Sequence, residues 1–278
     1  MTHTPVRLVT IVRSPGVDVL TRNNVTIIGT GRPIIFAHGF GCSQDMWRLV
    51  APHFAADYQV ILFDHVGSGG SDLSAYRPGT YDSLDGYADD LVEIVEELDL
   101  TDAIFVGHSV GSIIGLLAAN QIPSRFSKLV LVGPSARYVD AEGYTGGFSQ
   151  TDIDALLDSL DGNYFGWSRT IAPVIMGVPE QPELAEELTD SFCSTNPTIA
   201  RHFARVTFLS DNRRDLDDVS VPTLVIQASD DVIAPMPVGQ YVADHIADST
   251  LVVLQVSGHC AHLSAPDEVV TAITAFLE

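Results

Sequence analysis

The residues best placed for covalent chemistry form the motif Gly107-His108-Ser109-Val110-Gly111, which matches the pattern G-x-S-x-G. An apolar run at 103–106 precedes the motif and an apolar helical stretch follows it, so Ser109 is predicted to lie on a tight turn between a strand and a helix. Such a turn presents the serine hydroxyl at the edge of a sheet, where it can attack a carbonyl carbon. The alternative is a serine that only caps the helix. We predict that Ser109 is a nucleophile.

A serine hydroxyl is a poor nucleophile at neutral pH, and it needs a general base that a third group orients. His259 is the candidate base, because it follows a predicted strand and a turn close to the end of the chain. Two carboxylates, Asp230 and Asp231, follow the predicted strand at 223–227. A carboxylate at the end of that strand would reach the same cleft as Ser109. Both aspartates are candidates for the orienting acid.

The oxyanion that forms during acyl transfer needs preorganised hydrogen-bond donors. One candidate donor is the backbone N–H of Val110, directly after the nucleophile. The other is the backbone N–H of Phe40, in the segment His38-Gly39-Phe40-Gly41 that follows a predicted strand at 34–37. The alternative interpretation of this segment is a plain glycine turn.

These residues need a scaffold, and short apolar runs bounded by turn residues supply one. They predict strands at 25–28, 34–37, 60–63, 103–106, 129–132, 223–227 and 251–256. Helical spacing predicts helices at 84–98 and 110–119, and a closing helix from about Asp267. Continuous apolar strands alternating with helices predict an α/β fold, with a mostly parallel central sheet flanked by helices on both faces.

No strand pattern occurs between about residues 139 and 219. Four helical segments occur there instead, at 149–160, 164–176, 182–193 and 197–209. Inserted between two strands of a parallel sheet, they would form a lid over its carboxyl edge, where such sheets bind ligands. We therefore predict a core made of residues 1–138 and 219–278, with a helical lid at 139–218.

The composition excludes several classes of partner. The chain has 14 Lys and Arg against 36 Asp and Glu, and its net charge of −22 would repel nucleic acids and anionic membranes. No segment is long and apolar enough for a membrane helix, and the N-terminus lacks the pattern of a secretory signal. A cytoplasmic protein is expected. The acidic surface fits either an ordinary acidic protein or adaptation to high salt.

Cofactor and metal motifs are lacking in the sequence. The three cysteines are too few and too scattered for a disulfide scaffold or a zinc site, and no spacing of histidines and carboxylates suggests a metal. The glycine-rich segment at 67–70 does not match a nucleotide-binding loop. We therefore expect neither cofactor nor metal.

Several segments taken together resemble a known family, the RsbQ-like α/β-hydrolases. The group includes a bacterial stress-response regulator and the plant strigolactone and karrikin receptors. The resemblance covers the chain from about Asn23 to its end and includes the lid. It is carried by HGFGCSQDMW, VILFDHVGSGGSD, LDGYADDL, FVGHSVG, LVGPSARY, GGF, NYFGW, FCSTNP, ASDDVIAP and SGHCAHLS.

The resemblance implies the α/β-hydrolase fold with a V-shaped lid of four helices over an enclosed apolar pocket. It favours Asp231 over Asp230 as the orienting acid, because the acid of related sequences stands four residues before a proline, here Pro235. It also implies a pocket around Phe40, Ser109, Val110 and His259, lined by Phe148, Leu156, Trp167, Ile171 and Phe203. The alternative is that these side chains belong to the ordinary core.

Two functional hypotheses share these residues. The first is a serine hydrolase that cleaves a small apolar carboxylic ester or lactone through an acyl-serine intermediate. The second, implied by the resemblance, is a stress-signalling protein that binds or slowly hydrolyses a small apolar ligand and activates a partner, a PAS-containing phosphatase. A binding module without catalysis is disfavoured, because every triad and oxyanion position is filled.

Overall fold

The structure is a computed structural model that describes residues 18–278. The expectation that the N-terminus carries no secretory signal therefore lies outside the described residues.

A twisted sheet of seven strands forms the centre of the molecule. Its order is β1-β3-β2-β4-β5-β6-β7, with β1 antiparallel to β3 and every other pair parallel. The strands are β1 (Thr26–Ile28), β2 (Arg32–Ala37), β3 (Tyr58–Phe63), β4 (Ala103–His108), β5 (Phe126–Val132), β6 (Thr223–Asp230) and β7 (Ser249–Ser257). The predicted α/β class with a mostly parallel sheet is confirmed.

Helices cover both faces of the sheet and fill the long segment between β5 and β6. They are α1 (Val19–Arg22), α2 (Leu84–Glu97), α3 (Val110–Gln121), α4 (Gln150–Gly162), α5 (Tyr164–Met176), α6 (Pro182–Ser194), α7 (Pro197–Leu209), α8 (Met236–His245), α9 (Ala261–Ser264) and α10 (Pro266–Leu277). The sequence analysis missed α8, whose Pro237 and Gly239 weaken the helical pattern.

The alternation of side chains along each strand divides the core in two. Ile35, Phe105 and Val225 face a cluster that contains α2, α3 and α8, whereas their neighbours in sequence face α10 on the opposite side. Because both faces are covered, the central strands are apolar at almost every position. This rigid sheet fixes the positions at which β4, β6 and β7 end.

The four helices α4–α7 lie between β5 and β6 in sequence and enclose an apolar cluster of their own. Local signals set where two of them begin. Ser149 and Asp152 form a capping box at α4, and the Asn196 side chain accepts a hydrogen bond from the Thr198 N–H at α7. Within residues 18–278, no helix is long and apolar enough to cross a membrane.

Candidate active site

Ser109 lies on the turn between β4 and α3, as its motif predicted. Its backbone has φ 56° and ψ −127°, a conformation that a non-glycine residue adopts only when its surroundings enforce it. The Ser109 N–H donates to the Val132 carbonyl at 2.8 Å. A Cβ on Gly111 would lie 2.4 Å from the His38 carbonyl oxygen, so only glycine permits this close approach. The local geometry therefore aims the serine hydroxyl away from the sheet.

Three side chains from separate strand ends form one hydrogen-bonded chain. The Ser109 Oγ lies 2.8 Å from Nε2 of His259, and Nδ1 of His259 lies 2.7 Å from Oδ2 of Asp231. All three residues are buried. Because the ionised Asp231 can only accept, Nδ1 carries the proton and Nε2 is free to accept one from the serine. This is the arrangement that a serine nucleophile requires.

The two candidate aspartates occupy different environments. Asp231 is buried, and its Oδ1 accepts hydrogen bonds from the N–H groups of Ile233 and Ala234 at 2.8 and 3.0 Å. Asp230 is exposed, and its carboxylate accepts one from the Ser257 hydroxyl. Only Asp231 therefore contacts the histidine.

The backbone of His259 is held on both sides. Its N–H donates to the Ile175 carbonyl at 2.8 Å, and its carbonyl accepts a hydrogen bond from Nε2 of His108 at 3.0 Å. The rings of His108 and His259 lie 4.8 Å apart. His108, at the end of β4 and next to Ser109, thus connects this strand to the loop that carries His259. The G-x-S-x-G motif alone does not indicate this contact.

Four buried histidines around the site affect the pH dependence of stability. Burial lowers the pKa values of His38, His65 and His108, and lowers that of His262 to about 3. These rings take up protons more readily in the unfolded chain than in the folded protein. Protonation therefore favours the unfolded chain, so the free energy of unfolding is not reduced by these groups above about pH 6.5 and falls below it. Burial raises the pKa of Asp90 to about 6. Protonation of this carboxyl therefore favours the folded state as the pH falls, which opposes the effect of the histidines.

We therefore expect the free energy of unfolding to fall by about 3 kcal/mol or more between about pH 7 and pH 5. Urea unfolding followed by circular dichroism at several pH values measures it. A constant or rising stability over this range would show that the buried rings are charged in the folded protein.

The two predicted oxyanion donors lie beside the nucleophile. A Cβ on Gly39 would lie 3.2 Å from the Ser109 Cβ, so the loop that carries Phe40 passes directly against the serine. Val110 begins α3, where backbone N–H groups lack intrahelical partners. Among residues 18–278, neither the Phe40 nor the Val110 N–H donates to a loop carbonyl or a side chain. Both groups are available to a ligand oxygen.

Ser109 and His259 open onto a small cavity of about 40 Å³ beneath the inserted helices. The predicted Phe40, Leu156, Trp167 and Ile171 line it. Its other lining residues, which the sequence analysis did not predict as pocket residues, are Cys42, His108, Tyr138, Ile175, Leu188, Phe192, Thr207, Phe208, Ile233 and Cys260. The wall is mostly apolar, and the Tyr138 hydroxyl lies 3.5 Å from the Ser109 Oγ.

Two predicted pocket residues lie elsewhere. Phe203 packs against Phe40, with ring centroids 5.7 Å apart, and against Tyr87 at 4.5 Å, so Phe40 forms that part of the wall. Phe148 is half-buried in the loop before α4, where its N–H donates to the Tyr138 carbonyl. Neither residue lines the cavity in the structure, since Phe203 packs behind Phe40 and Phe148 lies in the loop before α4.

The described residues hold no group of three or more His, Cys, Asp or Glu side chains arranged for a metal. The two thiols on the cavity wall are buried, and burial raises the pKa of Cys42 to about 12 and that of Cys260 well above its usual range. Neutral buried thiols are weak nucleophiles, so Ser109 is a better candidate nucleophile than either cysteine of the cavity.

Comparison with known proteins places this geometry in a family. Residues 32–266 match the family model of the alpha/beta hydrolase fold. The strigolactone esterase D14 of Arabidopsis thaliana is 38% identical over 251 residues, which cover 90% of this chain and 94% of that protein. The karrikin insensitive 2 receptor CA of Petunia hybrida is 36% identical over 253 residues, with coverage of 90% and 94%.

Solved structures agree with this placement. A hydrolase from Oleispira antarctica is 41% identical and superposes with a TM-score of 0.91, covering 94% of this chain and 96% of that one. Similarity of this extent includes the inserted helices as well as the sheet. The chain is an enzyme of the carboxylesterase type, and it belongs to the α/β-hydrolase family, as a relative of the strigolactone and karrikin receptor hydrolases.

Proposed function

We propose that the protein hydrolyses small apolar carboxylic esters or lactones through an acyl-serine intermediate, with Ser109, His259 and Asp231 as its catalytic triad. The observation that carries this proposal is the hydrogen-bonded chain of the three side chains at the wall of a small, mostly apolar cavity. The esterase name of the Arabidopsis relative also supports an ester or lactone substrate.

The reaction proceeds in two halves. His259 Nε2 takes the Ser109 proton while the serine oxygen attacks the ester carbonyl, and the N–H groups of Phe40 and Val110 stabilise the resulting oxyanion. The intermediate collapses, the alcohol leaves with the proton from His259, and the acyl group stays on Ser109. His259 then deprotonates a water that attacks the acyl-serine. The bond between the acyl carbon and Ser109 Oγ breaks, His259 returns the proton to the serine oxygen, and the acid is released.

The cavity limits the acyl group. Its volume of about 40 Å³ is small beside the roughly 300–1,000 Å³ of a typical small-molecule pocket. The four helices at 139–218 act as a lid that closes this space, with Leu156 and Trp167 supplying part of the wall. We therefore expect short acyl chains to be preferred.

Hydrolysis of p-nitrophenyl acetate, butyrate and octanoate tests this preference. We expect kcat/KM to fall by about 100-fold or more from butyrate to octanoate, because inserting methylenes into a packed space costs about 1–3 kcal/mol. Leu156→Ala, which enlarges the cavity, should restore octanoate hydrolysis more than acetate hydrolysis. Equal rates along the series would contradict a small closed acyl pocket.

A second candidate function is signalling by a ligand that is bound or slowly cleaved. The karrikin receptor name of the Petunia relative and the resemblance to a stress-response regulator support it. The partner would then be a PAS-containing phosphatase that contacts the lid surface. A single burst of p-nitrophenol followed by almost no turnover supports this function, whereas sustained turnover supports the metabolic one.

A further inference from the structure

The cavity wall contains one hydroxyl without a partner. Thr207 on α7 lines the cavity and is 1% exposed. Its Oγ1 is buried and has no hydrogen-bond partner among residues 18–278. A buried hydroxyl that makes no hydrogen bond is destabilising, so such groups in folded proteins call for an explanation.

Three threonines in other helices behave differently. The hydroxyls of Thr170, Thr189 and Thr271 each donate to the carbonyl four residues earlier, at 3.0, 2.8 and 2.7 Å. This is the usual way for a helical threonine to satisfy its hydroxyl. Thr207 does not make this bond, although it lies in the interior of α7. Its hydroxyl therefore remains free to bind another group.

The side chains of Ser109, His259 and Asp231 are already hydrogen-bonded to one another. The Ser109 hydroxyl lies within 2.8 Å of His259 and 3.5 Å of the Tyr138 hydroxyl, and the second ring nitrogen of His259 is bound to Asp231. Thr207 is next to Phe208, whose ring packs against Tyr138 at 5.0 Å. The Thr207 hydroxyl thus belongs to the same small, mostly apolar cavity as Ser109. Among the described residues that line it, the other buried polar atom without a partner is Nδ1 of His108.

We propose that the Thr207 hydroxyl recognises a second oxygen on the acyl part of the substrate. The preferred substrates are then short esters or lactones whose acyl group carries an ether, keto or hydroxyl oxygen. This inference rests on the proposed hydrolase function and names its substrate class. A threonine hydroxyl both donates and accepts, so it can bind each of these oxygens.

The acyl part is the part that reaches Thr207. It stays bonded to Ser109 after the alcohol has left, and it occupies the enclosed space that the cavity provides. Because the cavity is small and its wall is mostly apolar, a hydrogen bond made there is weakened less by competing water than one made at the surface. A plain alkyl acyl group would leave the Thr207 hydroxyl unpartnered. We therefore expect esters with such groups to be hydrolysed less efficiently than esters that offer an oxygen to Thr207.

Pairs of p-nitrophenyl esters that differ by one oxygen test the proposal. Butyrate and methoxyacetate have chains of equal length, and 3-hydroxypropanoate places the oxygen one bond farther from the carbonyl. Each ester is assayed with the wild type, Thr207→Val and Thr207→Ser. The intrinsic reactivity of each ester is the same for all three proteins, so it cancels when their selectivity ratios are compared.

We expect Thr207→Val to lower kcat/KM for at least one oxygen-bearing ester, relative to butyrate, by about five-fold or more. Thr207→Ser keeps the hydroxyl and should retain the wild-type ratio. If Thr207→Val leaves both ratios unchanged while all esters are hydrolysed, the inference is overturned and the hydrolase function stands. If the wild type hydrolyses none of the esters, the proposed function falls together with the inference.

Thermal unfolding gives a readout that does not depend on turnover. Thr207→Val removes an unpartnered hydroxyl without changing the shape of the side chain, so we expect Tm to rise. The matched control is Thr223→Val, since Thr223 is equally buried and its hydroxyl donates to the Val221 carbonyl at 2.8 Å. Its Tm should fall. An equal fall in both variants would show that the Thr207 hydroxyl has a partner in the empty protein, and the inference would be wrong.

Discussion

Replacing Ser109 by alanine should lower kcat for ester hydrolysis by about 10⁴-fold or more. The Ser109 hydroxyl is the group within 2.8 Å of the histidine base, and no other nucleophile of the cavity is activated in this way. The residual rate would come from the oxyanion donors and substrate binding alone. Steady-state assays with p-nitrophenyl acetate measure the loss.

The fold should tolerate this change, because alanine can occupy the backbone conformation of Ser109 about as readily as serine. Ser112→Ala is a matched control from the same turn. Its hydroxyl is buried and donates to the Gly107 carbonyl at 2.7 Å, away from the histidine. We expect this control to lose about 1 kcal/mol of stability while keeping most activity. Comparable losses of activity in both variants would mean that the turn, rather than the Ser109 hydroxyl, is what matters.

Asp231→Asn should lower kcat by about 10⁴-fold, whereas Asp230→Asn should have little effect. The asparagine oxygen can keep the hydrogen bonds from Ile233 and Ala234, which leaves its amide NH₂ facing Nδ1 of His259. That arrangement favours the tautomer with the proton on Nε2, which cannot accept the serine proton.

Parallel assays of the two variants give the comparison, with circular dichroism to verify folding. Asp230 is exposed and its carboxylate contacts Ser257 rather than His259, so the loss of its negative charge serves as a control for the same change in net charge. The opposite pattern, with activity lost only in Asp230→Asn, would reverse the assignment of the orienting acid.

Much of the scaffold follows from the sequence because its signals are local. Each strand contains a short apolar run near turn residues, and Ser109 lies between such a run and a helix. These patterns depend only on neighbouring residues, so the sheet and the placement of Ser109 and His259 at its edge were predictable. The choice of Asp231 over Asp230 needed the family resemblance, because both follow the same strand. The helix α8 was missed because proline and glycine hide its periodicity, although the fold tolerates both.

The cavity was less predictable, because its shape depends on how α4–α7 pack on the sheet. Helical spacing places Phe203 and Thr207 on nearby positions of α7, yet only Thr207 lines the cavity, since Phe40 intervenes before Phe203. Tyr138 and Ile233 line the cavity from loops that have no periodicity to interpret. The lack of a hydrogen-bond partner for the Thr207 hydroxyl depends on three-dimensional packing, and no pattern in the sequence indicates it.

The most direct test of the account is to trap the acyl-enzyme. Wild type and Ser109→Ala are mixed with p-nitrophenyl acetate, quenched in acid within the first turnovers, and examined by intact mass and peptide mass spectrometry. The account predicts one added acetyl group on the Ser109 side chain of the wild type and none on the variant. Sustained hydrolysis by Ser109→Ala, or an acetyl group carried on another residue of a turning-over enzyme, would contradict it.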